Sequence, residues 1–232
     1  MAGIRSISKI NVVNATKEHT ATLFFFHGSG SSGDAIKEWV DILTREELKF
    51  PHIKIMYPSA PLQPYTAYNG TPSYVWFDRK DVSIQVPEDV ESVESICGNV
   101  SELINAEVTN GIPHNKIIVG GFSMGGALSL YLTYKHQPSL AGCFAMSSFL
   151  NKNSSVYKHL QERPEIRKPP LLQFHGTADD LVPIKWGEET QKNLTDSGVK
   201  GQFVRLNGAG HELIRSELET FRQWVSEILP EK

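Results

Sequence analysis

The chain has 232 residues, 40% hydrophobic and 21% charged, with a formal net charge of −3. That balance is globular and excludes disordered and fibrous classes. A slightly acidic total with no long Lys/Arg run argues against nucleic acid or an anionic membrane as partner.

Two cysteines, Cys97 and Cys143, are too few for a disulfide framework and suit a reduced, cytoplasmic protein. The opening residues lack the apolar core of a secretory signal. Leu23 to Phe26, the longest strongly apolar run near the start, is far short of the roughly 20 residues that span a bilayer.

The first predicted strand is Thr22 to Phe26, a continuous apolar run of the kind buried on both faces. A helical pattern follows at 34–48, with Asp34 in a capping position. The loop between them, Gly28-Ser29-Gly30-Ser31-Ser32-Gly33, also fits G-x-G-x-x-G, the dinucleotide-binding signature. Two features oppose that reading. The next predicted strand, Ile53 to Tyr57, ends without an acid for the ribose hydroxyls, and Asp34 would set a carboxylate beside the pyrophosphate.

From Ser59 to about Pro87 no period is visible, and Tyr65, Tyr68, Tyr74, Trp76 and Phe77 fall within the stretch. A segment this long is usually functional or locally folded. Two readings stay open: a connection over the sheet edge with packed aromatics, or a wall of the ligand groove. A helix is predicted over 88–109, just after Pro87, and a strand over Lys116 to Gly120.

Gly121-Phe122-Ser123-Met124-Gly125 then fits G-x-S-x-G, with a helical pattern at 125–136. A serine raised above a sheet needs a sharp turn between strand and helix, and glycines on either side leave room for it. Strands are predicted at Gly142 to Met146 and Leu171 to Phe174, with too little chain between them for a cap. Helices at 184–197 and 212–228 flank a last strand, Gln202 to Leu206. The expected fold is α/β, a mostly parallel central sheet with helices on both faces, forming one lidless domain over 1–232 with an open site.

A nucleophilic serine needs a base to take its proton and an acid to orient that base, in this fold in the order serine, acid, histidine. After Ser123 the acid should follow a late strand. Asp179 does so, with Asp180 as competitor. The histidine should lie between the last strand and last helix, which selects His211. Backbone N–H donors for the developing oxyanion are expected from Met124 and from Ser29 in the first loop, where the His27 side chain is read as a brace. His211-Glu212 lacks the second histidine of H-E-x-x-H, so neither metal nor cofactor is expected.

These residues resemble the acyl-protein thioesterase and lysophospholipase branch of the carboxylesterase α/β-hydrolases. The resemblance rests on Phe26-His27-Gly28-x-Gly30, Trp76-Phe77-Asp78, Gly120-Gly121-Phe122-Ser123, His175-Gly176-x-x-Asp179, Leu181-Val182-Pro183 and Gly210-His211. It implies a Ser123, Asp179, His211 triad, with Ser29 and Met124 as oxyanion donors. It also implies an acyl channel bordered by the 59–87 segment (Leu62, Trp76, Phe77), Phe149 and Leu181. Typical family thioesterases carry Gln at the Met124 position and a Trp-Leu-Pro run where Phe149-Leu150-Asn151 stands. Long-chain depalmitoylation therefore does not simply carry over, and a preference for short to medium acyl chains is expected. Where those thioesterases often have an N-terminal cysteine for palmitoylation this chain has Ala2, so stable membrane anchoring is not expected.

The expected function is hydrolysis of esters or thioesters, with acylated proteins or small acyl compounds as substrates, through an acyl-Ser123 intermediate. The alternative is a ligand-binding receptor on the same scaffold that keeps the triad without turnover.

Overall fold

A computed structural model describes residue 7 and residues 9–231; Ala2 lies outside them. The described residues form a seven-stranded sheet from β1 (Ile10–Val13), β2 (Ala21–Phe26), β3 (Ile53–Pro58), β6 (Ile117–Phe122), β7 (Gly142–Met146), β8 (Leu171–Gly176) and β9 (Gly201–Leu206). A separate hairpin contains β4 (Leu62–Tyr65) and β5 (Thr71–Tyr74). The main sheet runs β1-β3-β2-β6-β7-β8-β9, parallel throughout except for β1. This is the expected α/β fold.

Both faces of the sheet are covered, which is why the central strands read as unbroken apolar runs. Alternate residues of β2 point to opposite sides. Phe24 and Phe26 join the core beneath α2 (Val90–Thr109) and α3 (Met124–Tyr131), while Leu23 and Phe25 join the core beneath α1 (Gly33–Thr44) and α6 (Arg215–Ile228). The two remaining helices are α4 (Ser155–Glu162), the only helix between β7 and β8, and α5 (Ile184–Asp196).

Boundaries moved where local chemistry outweighed periodicity. Ser32, not Asp34, caps α1: its Oγ accepts from the Ala35 N–H at 3.1 Å. Asp34 instead accepts from Asn11 and pairs with Lys9, joining α1 to β1. The pattern at 125–136 is α3 followed by a π-type turn over Leu132–His136. Ile10–Val13 is too short to show a period, and α4 is polar enough to pass for loop.

One buried group ties the fold to pH. Glu217, fully buried, accepts the Ile214 N–H at the start of α6, and its other oxygen has no partner among the described residues. Burial pushes its pKa up to about 8, against the small opposing pull of that N–H. An acid that holds its proton more tightly folded than unfolded contributes its full stability below the unfolded value, about 4.3. That contribution is lost as pH rises through about 8. Glu217→Gln should therefore flatten the pH dependence of thermal stability and exceed the parent chain at pH 9 by on the order of a few kcal/mol. Parallel melting curves from pH 5 to 9 would show the idea wrong.

Candidate active site

Ser123, Asp179, His211 and the 28–30 loop all lie beyond the carboxyl ends of sheet strands. At the end of β6 the chain turns through Ser123 and enters α3. Ser123 has φ 53° and ψ −118°, a left-handed conformation costly for a side chain with a Cβ. Its N–H donates to the Met146 carbonyl at 2.8 Å, pinning the turn to β7. The flanking glycines have a steric cause. A Cβ on Gly121 would stand 2.2 Å from the Phe26 carbonyl oxygen, and one on Gly125 would stand 2.3 Å from the same atom. The turn thus backs onto the end of β2, and only glycine allows that approach.

His211 reaches Ser123 from the loop after β9. Its Nε2 lies 3.1 Å from Ser123 Oγ and its Nδ1 2.8 Å from Asp179 Oδ2. Asp179 follows β8, while its competitor Asp180 is exposed. The two loops are zipped together: Thr177 N–H donates to Leu206, Ala178 N–H to Ala209, and Gly208 N–H to Thr177 Oγ1. A Cβ on Gly176 would meet the Ala209 and Gly210 carbonyl oxygens at 2.4 Å, so the loop of Asp179 lies directly against that of His211.

The Asp179 side chain is fully buried, and Oδ1 accepts the Leu181 and Val182 N–H groups at 3.1 and 2.7 Å. Burial pushes its pKa up, but the hydrogen bonds from His211 and Val182 outweigh this and hold it below the ordinary carboxylate value. His175 supports this corner, its Nε2 2.8 Å from the Val182 carbonyl oxygen. Burial lowers its pKa, so it is neutral and donates there.

The loop after β2 is braced by His27. Burial drives its pKa down to about 4, leaving it neutral. Nδ1–H donates to the Gly28 carbonyl at 2.6 Å, and Nε2 accepts the Ala60 N–H at 2.9 Å. Trp76 Nε1–H donates to the His27 carbonyl at 2.8 Å, and the Gly30 N–H donates to Tyr74. Ser29 Oγ lies 3.6 Å from Met124 Sδ, which sets the loop against the first residue of α3. A helix leaves its first N–H groups without intrahelical acceptors, and Met124 carries one of them.

A cleft of about 140 Å³ opens above Ser123 and His211. Of the expected channel residues, Leu181 lines it, but Leu62, Trp76, Phe77 and Phe149 do not. Trp76 is buried as the brace just described. Phe77 and Phe149 are buried, and the Arg79 guanidinium lies over both rings, 4.9 and 4.7 Å from their centres. Leu62 is exposed on the hairpin, opposite Tyr74.

The cleft walls come instead from Tyr65 and Tyr68 of the hairpin segment, Ile36 and Trp39 of α1, Phe122, Arg79 and Val82. Both readings of the 59–87 segment thus apply to different side chains within it. Phe122 was legible as the residue before the serine, and it also packs on His211 with ring centres 4.8 Å apart. Trp39 had no sequence signal of its own, and Arg79 continued the Trp76-Phe77-Asp78 run without being read as a wall residue.

A model of the phospholipase/carboxylesterase family matches residues 8–229. Mouse lysophospholipase-like protein 1 is 46% identical over 219 residues, 94% of this chain and 91% of that protein. Acyl-protein thioesterase 1 homolog 1 of Dictyostelium discoideum is 33% identical over 91% of this chain and 92% of its own length. Among solved structures, acyl-protein thioesterase 2 of Zea mays superposes with a TM-score of 0.81 at 29% identity, over 95% of this chain and 99% of that one.

Proposed function

The chain belongs to the phospholipase/carboxylesterase family and is a serine hydrolase of esters or thioesters, and from that premise we propose that Ser123, His211 and Asp179 carry the reaction. The observation behind this reading is the unbroken relay from Ser123 Oγ through both nitrogens of His211 to Asp179 at the floor of a cleft. His211 takes the Ser123 proton as Oγ attacks the acyl carbonyl, and the Ser29 and Met124 N–H groups receive the oxyanion. The proton passes to the departing alcohol or thiol. Water, deprotonated by the same imidazole, then releases the acid from acyl-Ser123. The receptor alternative is not favoured, because the relatives are thioesterases and lysophospholipase-like proteins.

Chain length follows from volume. The cleft of about 140 Å³ is smaller than the roughly 300–1,000 Å³ pockets that enclose drug-sized ligands, so it does not enclose a sixteen-carbon chain. The substrates are therefore short- to medium-chain acyl esters or thioesters, on small molecules or on proteins. A reduced, cytoplasmic setting belongs to the same reading. Cys97 and Cys143 are free and buried, and burial raises both thiol pKa values. Among the described residues no helix is long and apolar enough to cross a membrane.

Across 4-nitrophenyl esters from acetate to palmitate, kcat/KM should rise about fourfold per methylene while the chain still fills the cleft, since each buried methylene contributes about 0.8 kcal/mol. It should flatten at a short to medium chain length, well before palmitate. A maximum at palmitate would overturn the chain-length claim, and a single stoichiometric burst without turnover would overturn the enzyme.

A further inference from the structure

Arg79 is an anomaly in the cleft wall. It is 6% exposed, and it forms no ion pair among the described residues. Its nearby acids are committed elsewhere. Asp78 accepts from Thr66 and from the Arg79 backbone N–H, and Glu88 from the Tyr131 hydroxyl and the Ser155 N–H. The faces of Phe77 and Phe149 offset part of the cost of burying the charge. They do nothing for the N–H groups in the guanidinium plane.

Nε and Nη2 are buried with no hydrogen-bond partner. These two atoms form one edge of the guanidinium, the edge that grips a carboxylate through two parallel hydrogen bonds. A buried cation with that edge unmet is expensive to maintain without a ligand. The same residue lines the cleft that contains Ser123 and His211.

We propose that Arg79 is a specificity residue that binds a carboxylate carried by the substrate, so that the preferred short-chain substrates are anionic. The proposal rests on the cleft being the hydrolytic site. Because that edge is buried, the carboxylate reaches it from the cleft as side chains of the cleft wall give way. Ser123 and Arg79 then hold two ends of one small molecule. The anion can stand on either side of the scissile bond, at the far end of the acyl group or on the leaving group.

Two substrate pairs separate these cases. One compares 4-nitrophenyl hemiglutarate with 4-nitrophenyl pentanoate. The other compares the butyrate esters of 5-hydroxy-2-nitrobenzoate and of 4-nitrophenol. In Arg79→Met the kcat/KM ratio of charged to neutral substrate should fall at least tenfold in one pair, and that pair locates the carboxylate. Unchanged ratios in both pairs overturn the proposal. Met is uncharged, unbranched and close to Arg in volume, and thermal melts verify the fold. If Arg79→Met does not fold, Arg79→Lys serves instead, since it keeps the charge but removes the edge, with the same drop expected and the same null result decisive. Titration calorimetry with glutarate needs no turnover and so tests Arg79 even if the hydrolase reading fails. Tenfold weaker binding in the variant supports the subsite, and equal binding overturns it.

Discussion

Ser123→Ala is expected to lower kcat by about a millionfold, the loss that follows when an activated nucleophile is removed and only oriented binding remains. The hydroxyl is the proposed nucleophile, and it stands 3.1 Å from His211 Nε2, the proposed acceptor of its proton. Labelling by a fluorophosphonate probe should vanish with it. The backbone supplies an independent reading of the same position. At φ 53° and ψ −118° a Cβ is strained by about 1–3 kcal/mol, whatever side chain it bears. Ser123→Ala should therefore melt close to the parent, and Ser123→Gly, free of that strain, should be more stable than the alanine variant by about 1 kcal/mol. Residual ester turnover in Ser123→Ala within tenfold of the parent would remove Ser123 as nucleophile. A glycine variant no more stable than the alanine one would remove the strain.

Asp179→Asn should cost about 10⁴ in kcat at neutral pH while leaving the fold intact. The reason lies in what Asp179 already holds. Oδ1 accepts the Leu181 and Val182 N–H groups, so an asparagine must keep its carbonyl oxygen on that side. Its amide NH₂ then faces His211 Nδ1, where Oδ2 accepted before. The imidazole must accept at Nδ1 and carry its proton on Nε2, aimed at Ser123 Oγ. In that tautomer it cannot take the serine proton. Steady-state kinetics with a 4-nitrophenyl ester, beside a melting curve, tests this. A loss below tenfold would mean that Asp179 has no share in orienting the base.

The juxtaposition of Ser123, His211 and Asp179 was legible because the geometry of such a relay is tightly constrained. A serine between strand and helix must have glycines where Gly121 and Gly125 stand, and the acid and base must close the ends of later strands. The cleft walls were less legible. Trp76 and Phe149 are large and apolar, as a channel residue should be, but the same property suits a buried brace. What separates the two roles is which carbonyl or cation the ring meets, and that depends on residues far away in the chain. Trp76 meets the His27 carbonyl, 49 residues back. Phe149 meets Arg79, and neither partner is local. Trp39 enters the wall only because α1 crosses above Phe122, a tertiary fact with no local signature. The hairpin was missed because its strands are four residues long and each contains a proline, so neither displays a clean alternation.

The hairpin segment serves two ends at once, and this bears on how the family can diversify. Tyr65 and Tyr68 shape the pocket, while Tyr74 and Trp76, a few residues on, hold the loop that carries Ser29. Mutations that widen the pocket through this segment also disturb the loop that holds the proposed oxyanion donor Ser29, so a gain in substrate range is expected there to come with a loss of rate. Trp39 and Leu181 wall the same pocket from other elements and take no part in that brace. They offer the less coupled path, along which new acyl specificities can accumulate while the donors stay in place.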